Sequence, residues 1–437
     1  MASPIPQKRL TSPPFPEPQG PLNEYLSTMK FMSMIMLVRR IAWLCAVSLI
    51  QPLWADWTVA IPPAAARHSS VPRLLKLELP GADLLGHYEA TGRGLKRVPV
   101  QSHPESPGTF LVQMPAHFSG SMRVKPVLRR RPLASAIQIS TNDHRLEFRA
   151  GGRLLMGFQS FPGTFPRSNI KPIFRRGGYF HPLVTPSGRW VTDDFPTNHV
   201  HHHGVWFAWT NTRFDGRTPD FWNMGDGKGL VEFVELNQLD AGPLHARLRS
   251  TQRYQDLTSG APVNVLIETW DASVVAPMQP DAPRVLDLDV QQNCASEKPL
   301  FLPEYRYGGI GIRGAGSWDG IPHARFLTSN GESDRVKAHA TRAKWCAMWG
   351  RVDGRDCGIA VLAHPGNFRA PEPIRVHPSE PFLNFAPSQA GDFEIKPGAT
   401  HRARYRLVVF DGAPDPASLD QAWNDYAAPG LRGVPGR

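Results

Sequence analysis

The chain has 437 residues, of which 20% are charged and 41% hydrophobic, and these proportions exclude a largely disordered chain. Its 49 lysines and arginines outnumber 38 acidic residues, which gives a net charge of +11. The basic residues are scattered apart from a run at 129–131 that no aromatic residues interleave, so we predict no nucleic-acid partner. Glycine (38 residues) and proline (44 residues) are frequent, which favours short strands and turns over long helices.

Residues 1–55 have the composition of an N-terminal extension followed by a signal peptide. Arg39 and Arg40 precede an apolar run at 41–53, which ends in the sequence LWA. The run is shorter than the ~20 residues of a transmembrane helix. We therefore expect a periplasmic or extracellular protein with no membrane span after cleavage. An uncleaved anchor is the alternative.

Residues 56–140 predict a small β domain of immunoglobulin-like size. Short apolar stretches such as LLKLELPG, GTFLVQMP and AIQIS alternate with proline and glycine. No cluster of catalytic residue types stands out there.

Residues 141–412 predict one large β domain. HRLEFRAGGRLLMGFQ indicates a hairpin in which Gly151 and Gly152 form a tight turn. In VLDLDV, Leu286 and Leu288 should face one side and Asp287 the other. FEIKPGATHRARYRLVVFDG predicts a late hairpin that turns at Pro397-Gly398. Strands recur every ~8–15 residues without intervening helices, so the fold class is all-β: a large two-sheet β-sandwich preceded by a small β-sandwich domain.

The segment at 413–437 predicts a C-terminal helix and tail. Asp415 can cap a helix whose first residue is Pro416 and which continues through ASLDQAWNDYA.

Three cysteines follow the signal: Cys294, Cys346 and Cys357. A two-residue turn at Asp353-Gly354 would place Cys346 opposite Val361, so the register does not imply a Cys346–Cys357 disulfide.

The stretch TDDFPTNHVHHHGVWFAWTN, at 192–211, holds four histidines within five residues. If it is a β-strand, His199, His201 and His203 share one face and His202 lies on the other. Three interpretations are open. The imidazoles could bind a divalent metal with a carboxylate such as Asp194, line a sugar site beside tryptophans, or be structural.

Other polar residues could join this stretch. IFRRGGYFHPLVTPSG contributes Arg176, Tyr179 and His181, and LAHPGNFRAPEP contributes His364 and Asn367. His364-Pro365 mirrors His181-Pro182, so we expect both to line one cleft.

Glu304, in FLPEYRYGGIGIRG, has apolar and aromatic neighbours. Desolvation there would raise its pKa and suit acid–base work. An ion pair with Arg306 or Arg313 is the competing interpretation.

Together the blocks FHPLVTPSGRWVTDDFPTNHVHHHGVWFAWTN, DFW, EYRYGGIGIR and AHPGNFR resemble the bacterial PmoA-like family, labelled "methane oxygenase PmoA", over about residues 140–412. The architecture of that family resembles the galactose-mutarotase-like supersandwich, whose members act on or bind carbohydrates. The resemblance implies His201 or His203 as acid, Glu304 as base, and Arg176 and His181 as sugar-binding residues.

The main hypothesis is an exported carbohydrate-active enzyme, an epimerase, lyase or hydrolase, that acts on a sugar ring and needs no cofactor. Its catalytic residues would be His201, His203 and Glu304. The predicted substrate-binding residues are Arg176, Tyr179, His181, Asp194, Trp206, Trp222, Tyr307, Arg313, His364 and Asn367. One alternative is a metal-dependent oxygenase with His199, His201 and His203 as ligands. A second is a non-catalytic glycan-binding protein that uses Trp206 or Trp222.

Overall fold

The computed structural model describes residues 56–63, 70–83, 86–103, 108–128, 136–142, 144–161 and 163–436. The predicted signal peptide and the arginine run at 129–131 lie outside these residues. Within the described part of the chain, no helix is both long enough and apolar enough to cross a membrane.

Strands make up most of the regular structure, and within the described ranges two α-helices and four 3₁₀ turns accompany them. The first strands are β1 (Trp57–Ile61), β2 (Arg73–Glu78), β3 (Tyr88–Gly92), β4 (Leu95–Ser102), β5 (Thr109–Met114), β6 (Gly120–Pro126), β7 (Gln138–Asn142), β8 (Arg145–Ala150), β9 (Arg153–Gln159), β10 (Tyr179–Leu183), β11 (Val205–Ala208), β12 (Gly229–Asp240) and β13 (His245–Asp256). The remaining strands are β14 (Val263–Val275), β15 (Arg284–Cys294), β16 (Leu300–Leu302), β17 (Gly309–Arg313), β18 (Ala324–Thr328), β19 (Trp345–Val352), β20 (Arg355–Ala363), β21 (Ile374–Val376), β22 (Phe382–Phe385), β23 (Phe393–Ile395), β24 (His401–Asp411), β25 (Leu431–Arg432) and β26 (Val434–Pro435). The helices are α1 (Arg335–Ala338) and α2 (Pro416–Ala427), and the 3₁₀ turns are Pro172–Phe174, Met224–Asp226, Gly316–Trp318 and Pro387–Ala390.

Sheet I is the N-terminal sheet, with strand order β25-β2-β5-β4-β3-β6-β1-β26. Its two edge strands, β25 and β26, come from one short stretch of the C-terminal tail. The tail pairs in parallel with β2 and antiparallel with β1, so it joins the two edges of the sheet. The last residues of the chain therefore complete the first sheet.

Sheets II and III form the large sandwich, and all their strand pairs are antiparallel. Sheet II has the order β21-β22-β17-β11-β10-β9-β8-β7, and sheet III has the order β12-β13-β14-β15-β24-β20-β19-β18. Their facing sides share one apolar core. Phe180 of sheet II stacks on Trp270 of sheet III with ring centroids 6.3 Å apart. The predicted all-β sandwich is confirmed.

Sheet I packs on the outer side of sheet III. Leu74 and Leu111 of sheet I share a buried cluster with Val285 and Val408 of sheet III and with Leu419 of helix α2. A buried ion pair adds to this junction, since Arg73 Nη2 lies 2.9 Å from Asp425 Oδ1. The helix thus lies beside both sheets.

Several local predictions are confirmed. Gly151 and Gly152 turn the β8–β9 hairpin with φ of 55° and 77°. Cys346 lies opposite Val361, and the three described cysteines are free. Leu286, Leu288 and Val290 enter the core, whereas Asp287 and Asp289 point away and bond Arg406 and Arg402. Asp415 caps helix α2.

The late hairpin prediction is wrong. Gly398 does turn the chain with a φ of 74°, but the strands on either side do not pair with each other. β23 pairs with β16 in a small separate sheet, while β24 lies between β15 and β20 in sheet III. An apolar pattern beside a turn predicts strands, but it does not specify their partners.

Candidate functional site

A row of polar residues crosses the side of sheet II that faces away from the sandwich core. Residues directly opposite one another on paired strands share a face. This places Arg145, Gln159 and Tyr179 in one run of the row, and Gly311, Asn384 and Arg375 in another. The neighbouring residues Phe180 and Val205 pair with each other and point into the core.

Trp206 connects the two runs and lies opposite Gly311. A Cβ atom at Gly311 would lie 2.8 Å from the Trp206 ring and 2.9 Å from the Trp222 ring. Both indoles are buried. The two rings therefore pack against the backbone of Gly311, and of the two only Trp222 also lines a pocket.

The histidine stretch is a loop of turns that ends where β11 begins at Val205. The His202 N–H donates to the His199 carbonyl at 2.8 Å, and the Phe195 N–H donates to the His202 carbonyl at 3.1 Å. The strand prediction for this stretch, and with it the shared face of His199, His201 and His203, is wrong. Tight turns remove the two-residue alternation on which that prediction depended.

The loop instead brings His199, His201 and His202 together with His377, which follows β21. The ring centroid of His199 lies 4.7 Å from that of His202, 5.9 Å from that of His201 and 5.7 Å from that of His377. These four imidazoles line a pocket of about 220 Å³, which we call the histidine pocket. Its other lining residues are Trp222, Asn223, Arg306, Tyr307, Arg375 and Phe382.

Burial makes the imidazoles of this pocket weak bases. Desolvation, reinforced by neighbouring cationic groups, lowers the pKa of His201 and of His377 to about 4. Desolvation also lowers the pKa of His199 and, more strongly, that of His202. Near neutral pH these rings are uncharged, so each has a nitrogen that can accept a proton.

Tyr307 supplies a hydroxyl group to the histidine pocket. Asn223 Nδ2 donates to its oxygen at 3.2 Å and also to Asp220 Oδ2 at 2.9 Å. Burial raises the pKa of Tyr307, so the hydroxyl keeps its proton. The guanidinium groups of Arg306 and Arg375 lie 5.7 Å and 5.3 Å from the centre of the Tyr307 ring.

His203 points away from this pocket. Its Nδ1 donates to Asp194 Oδ1 at 2.7 Å, and the Tyr179 hydroxyl donates to Asp194 Oδ2 at 2.8 Å. Burial opposes ionisation of Asp194, but the two hydrogen bonds outweigh it and hold the pKa of that carboxyl below its ordinary value. His203 Nε2 is buried without a hydrogen-bond partner among the described residues.

Asp194, Tyr179, Arg176 and His181 line a second pocket, of about 360 Å³, which we call the aspartate pocket. Arg176 is buried there, and its Nη2 donates a 3.4 Å hydrogen bond to Gln252 Oε1. At the rim, Trp190 is 46% exposed and meets the His181 ring edge-on at 5.7 Å. Seven of the predicted site residues thus line one of two pockets: His201, Trp222 and Tyr307 the histidine pocket, and Arg176, Tyr179, His181 and Asp194 the aspartate pocket.

Glu304 belongs to neither pocket. Its side chain is exposed and borders a more open depression together with Tyr305, Arg306 and His339. The predicted desolvation of Glu304 is therefore wrong, because the apolar neighbours in the sequence do not cover the carboxylate. The predicted ion pair with Arg306 or Arg313 does not form either, since the structure gives Glu304 no ion-pair partner among the described residues.

Five other predicted residues line neither pocket: His203 and Trp206, described above, and Arg313, His364 and Asn367. Arg313 is buried in ion pairs with Asp319 and Glu380. His364 lines a different hollow beside Trp423, and Asn367 bonds the buried Glu372 at 2.8 Å. The prediction that His364-Pro365 and His181-Pro182 line one cleft is wrong, because His181-Pro182 lies within β10 of sheet II whereas His364-Pro365 follows β20 of sheet III.

The sequence did not single out Arg375, His377, Phe382 or Asn223 as site residues. The short motif RVHPSEPF carries the first three, but nothing within it points to the histidine stretch about 175 residues earlier. The motif and the histidine stretch meet only because β21 pairs with β22, β22 pairs with β17, and β17 pairs with β11.

Within the described residues no group of three or more His, Cys, Asp or Glu side chains is arranged to hold a metal ion. In the histidine pocket, His199 and His202 stack with their planes 16° apart. Stacked rings direct their in-plane lone pairs side by side instead of toward one point. The metal hypothesis stays a prediction, and His203 would not belong to such a site.

The family match spans residues 145–424, which is most of the chain. The chain belongs to the DUF6807 family. DUF6807 is a family of unknown function, and its match begins at β8 and ends within helix α2. It therefore includes both pockets and nearly the whole large sandwich. No curated protein matches the chain.

Proposed function

We propose that this protein is a carbohydrate-active enzyme that performs acid–base chemistry on a sugar ring in the histidine pocket. The observation that carries the proposal is the meeting of four imidazoles with the Tyr307 hydroxyl beside an aromatic wall. Sugar sites combine a flat apolar surface for the ring with polar groups for its hydroxyls. Trp222 and Phe382 supply the surface, and Asn223 supplies a fixed amide.

The proposed roles follow from protonation. Neutral His201 or His377 accepts a proton from the substrate, while the protonated Tyr307 hydroxyl donates one. Glu304 is too exposed and lies in a separate depression, so the proposal does not use it. His203 acts as a positioning residue, because its hydrogen bond to Asp194 orients the loop that carries His201 and His202.

The resemblance to PmoA-like and galactose-mutarotase-like proteins supports the proposal, since those sandwiches act on or bind carbohydrates. The resemblance is a prediction from sequence blocks. Several of those blocks, HHHG, EYRYGG and the loop around Trp222, supply lining residues of the histidine pocket.

The test is turnover of a panel of hexoses, hexuronates and their glycosides, followed by NMR of the products. His201→Gln and His377→Gln should each lower kcat by ~100-fold or more, which is the size expected for a lost general base. His323→Gln is the matched control, because that histidine is exposed and borders a different pocket. Unchanged kcat in both pocket variants would refute the assignment.

A non-catalytic glycan-binding protein is the second candidate, and the exposed Trp190 ring favours it. An indole at a pocket rim can stack on a sugar without any chemistry. Calorimetric binding that Trp190→Ala abolishes, with the sugar recovered unchanged, would support binding over catalysis.

A further inference from the structure

Arg306 and Arg375 lie close together in the histidine pocket. Both guanidinium groups approach the ring of Tyr307, at 5.7 Å and 5.3 Å from its centre. Arg375 is half-buried, and burial lowers its pKa, as does the positive charge of Arg306. Two like charges are therefore held near each other at the edge of a partly desolvated cavity.

Neither arginine makes an ion pair with a carboxylate of the described residues. Other arginines on the sandwich do so: Arg313, on β17 of the same sheet, bonds Asp319 and Glu380, and Arg406 bonds Asp287. A half-buried cation such as Arg375 is costly unless an anion compensates it. The protein itself does not supply that anion at Arg306 and Arg375.

The surroundings of the pocket are also short of negative charge. No aspartate or glutamate is among its lining residues. The nearby Asp220 carboxylate already accepts hydrogen bonds from Asn223 and Thr210, and Glu380 accepts them from Arg313 and Asn198. An incoming anion would thus meet two arginines and neutral imidazoles without a competing carboxylate.

We infer that the sugar bound in the histidine pocket carries a carboxylate, which lies between Arg306 and Arg375. The substrate class is then a hexuronic acid or one of its glycosides. This inference rests on the proposed function and narrows its substrate.

The carboxylate also explains why imidazoles and arginines occur in one pocket. Two cations that neutralise a carboxylate make the hydrogen on the adjacent carbon more acidic. A neutral imidazole, of His201 or His377, takes that proton and becomes an imidazolium. The electron pair of the C–H bond moves into the carboxylate and forms an enediolate, which the arginines stabilise. Return of a proton from the imidazolium restores the sugar acid, and no oxidant or reductant is needed.

An anion bound between Arg306 and Arg375 would also make the imidazoles of the pocket stronger bases. The pKa of His377 is lowered first by burial and then by the charge of Arg375. A bound carboxylate offsets that charge and moves the imidazole pKa back toward neutrality, where a general base works best.

The experiment measures binding of five probes to the full chain by calorimetry: the methyl glycosides of glucuronate and galacturonate, those of glucose and galactose, and glucose 6-phosphate. At least one uronate should bind ~10-fold or more tightly than its neutral partner, and Arg306→Gln and Arg375→Gln should each weaken it ~10-fold or more. Arg213→Gln is the matched control, because its exposed guanidinium lies 5.7 Å from the Phe301 ring and also lacks a carboxylate partner among the described residues. Arg306 is exposed, so its variant keeps the fold and decides the result if Arg375→Gln does not fold.

A second readout separates the two proposals. Incubation of the bound uronate in D₂O should exchange the hydrogen next to the carboxylate, and His201→Gln or His377→Gln, whichever removes the base, should stop the exchange. Arginine-dependent uronate binding without any exchange or product supports the carboxylate site and overturns the enzymatic function. Turnover of a neutral sugar that is unaffected by both arginine variants keeps the enzymatic function and overturns the inference. The inference is also overturned if the sugar phosphate binds more tightly than either uronate, or if no uronate binds.

Discussion

Glu268, on β14, is a carboxyl group fully enclosed between sheets II and III. Its Oε1 accepts a hydrogen bond from Trp270 Nε1 at 2.7 Å, and its Oε2 accepts from Tyr254 Oη at 2.8 Å and Gln292 Nε2 at 2.6 Å. Burial is the largest influence on it and raises its pKa from an ordinary 4.5 to about 7. Between these two values the folded protein keeps a proton that the unfolded chain has lost.

The sign and size of the effect follow from proton linkage. Since the folded state binds more protons in this range, the free energy of unfolding falls as the pH rises toward 7. At ~1.4 kcal/mol for each pH unit, the group destabilises the protein by about 2.5 kcal/mol more at about pH 8 than at about pH 5. Glu268→Gln removes this titration and keeps the shape of the side chain.

The assay is urea unfolding of the wild-type protein and of Glu268→Gln, followed by circular dichroism at several pH values. The wild-type free energy of unfolding should lose about 2.5 kcal/mol relative to the variant between about pH 5 and about pH 8. Glu372, whose pKa burial also raises to about 7, is present in both proteins and cancels from the difference. Parallel pH profiles would refute the reasoning, because they would mean that Glu268 ionises equally in both states.

Three further predictions concern the site and the fold. Asp194→Ala should destabilise the protein by about 3 kcal/mol in urea, because it leaves Tyr179 Oη and His203 Nδ1 buried without an acceptor; an unchanged midpoint would contradict this. Arg73→Met should destabilise the protein by a similar amount, about 3 kcal/mol, because it leaves the buried Asp425 carboxylate without its cationic partner, and a loss much below 1 kcal/mol would show that the ion pair is solvated. Untagged protein should retain less than roughly a tenth of an equivalent of Cu, Fe or Zn by elemental analysis, and a stoichiometric metal would favour the oxygenase alternative.

The local predictions succeeded where neighbouring residues decide the outcome. The alternation of VLDLDV, the two glycines at 151 and 152, and the Asp415 cap all depend on contacts within a few residues. The register at Asp353-Gly354 also follows from a two-residue turn, which is why Cys346 lies opposite Val361 as expected.

In the histidine stretch, local patterns did not predict the structure. Strand alternation would separate His202 from His199 and His201, yet turns after Pro196 place these three together and send His203 to Asp194. The sequence contains the apolar strand that follows, but it does not mark where that strand begins. One residue of error there reverses the direction of every side chain.

The sequence by itself determined the all-β class, several of the strands, the C-terminal helix and the polar blocks from which the site is built. Only the tertiary structure decided which blocks meet. Strand pairing placed His377 and Arg375 beside His199 and left Glu304 exposed and His364 in another hollow. The physical reason is that alternation and turn geometry are set by local sterics, whereas a pocket depends on which distant strands bury their apolar sides together.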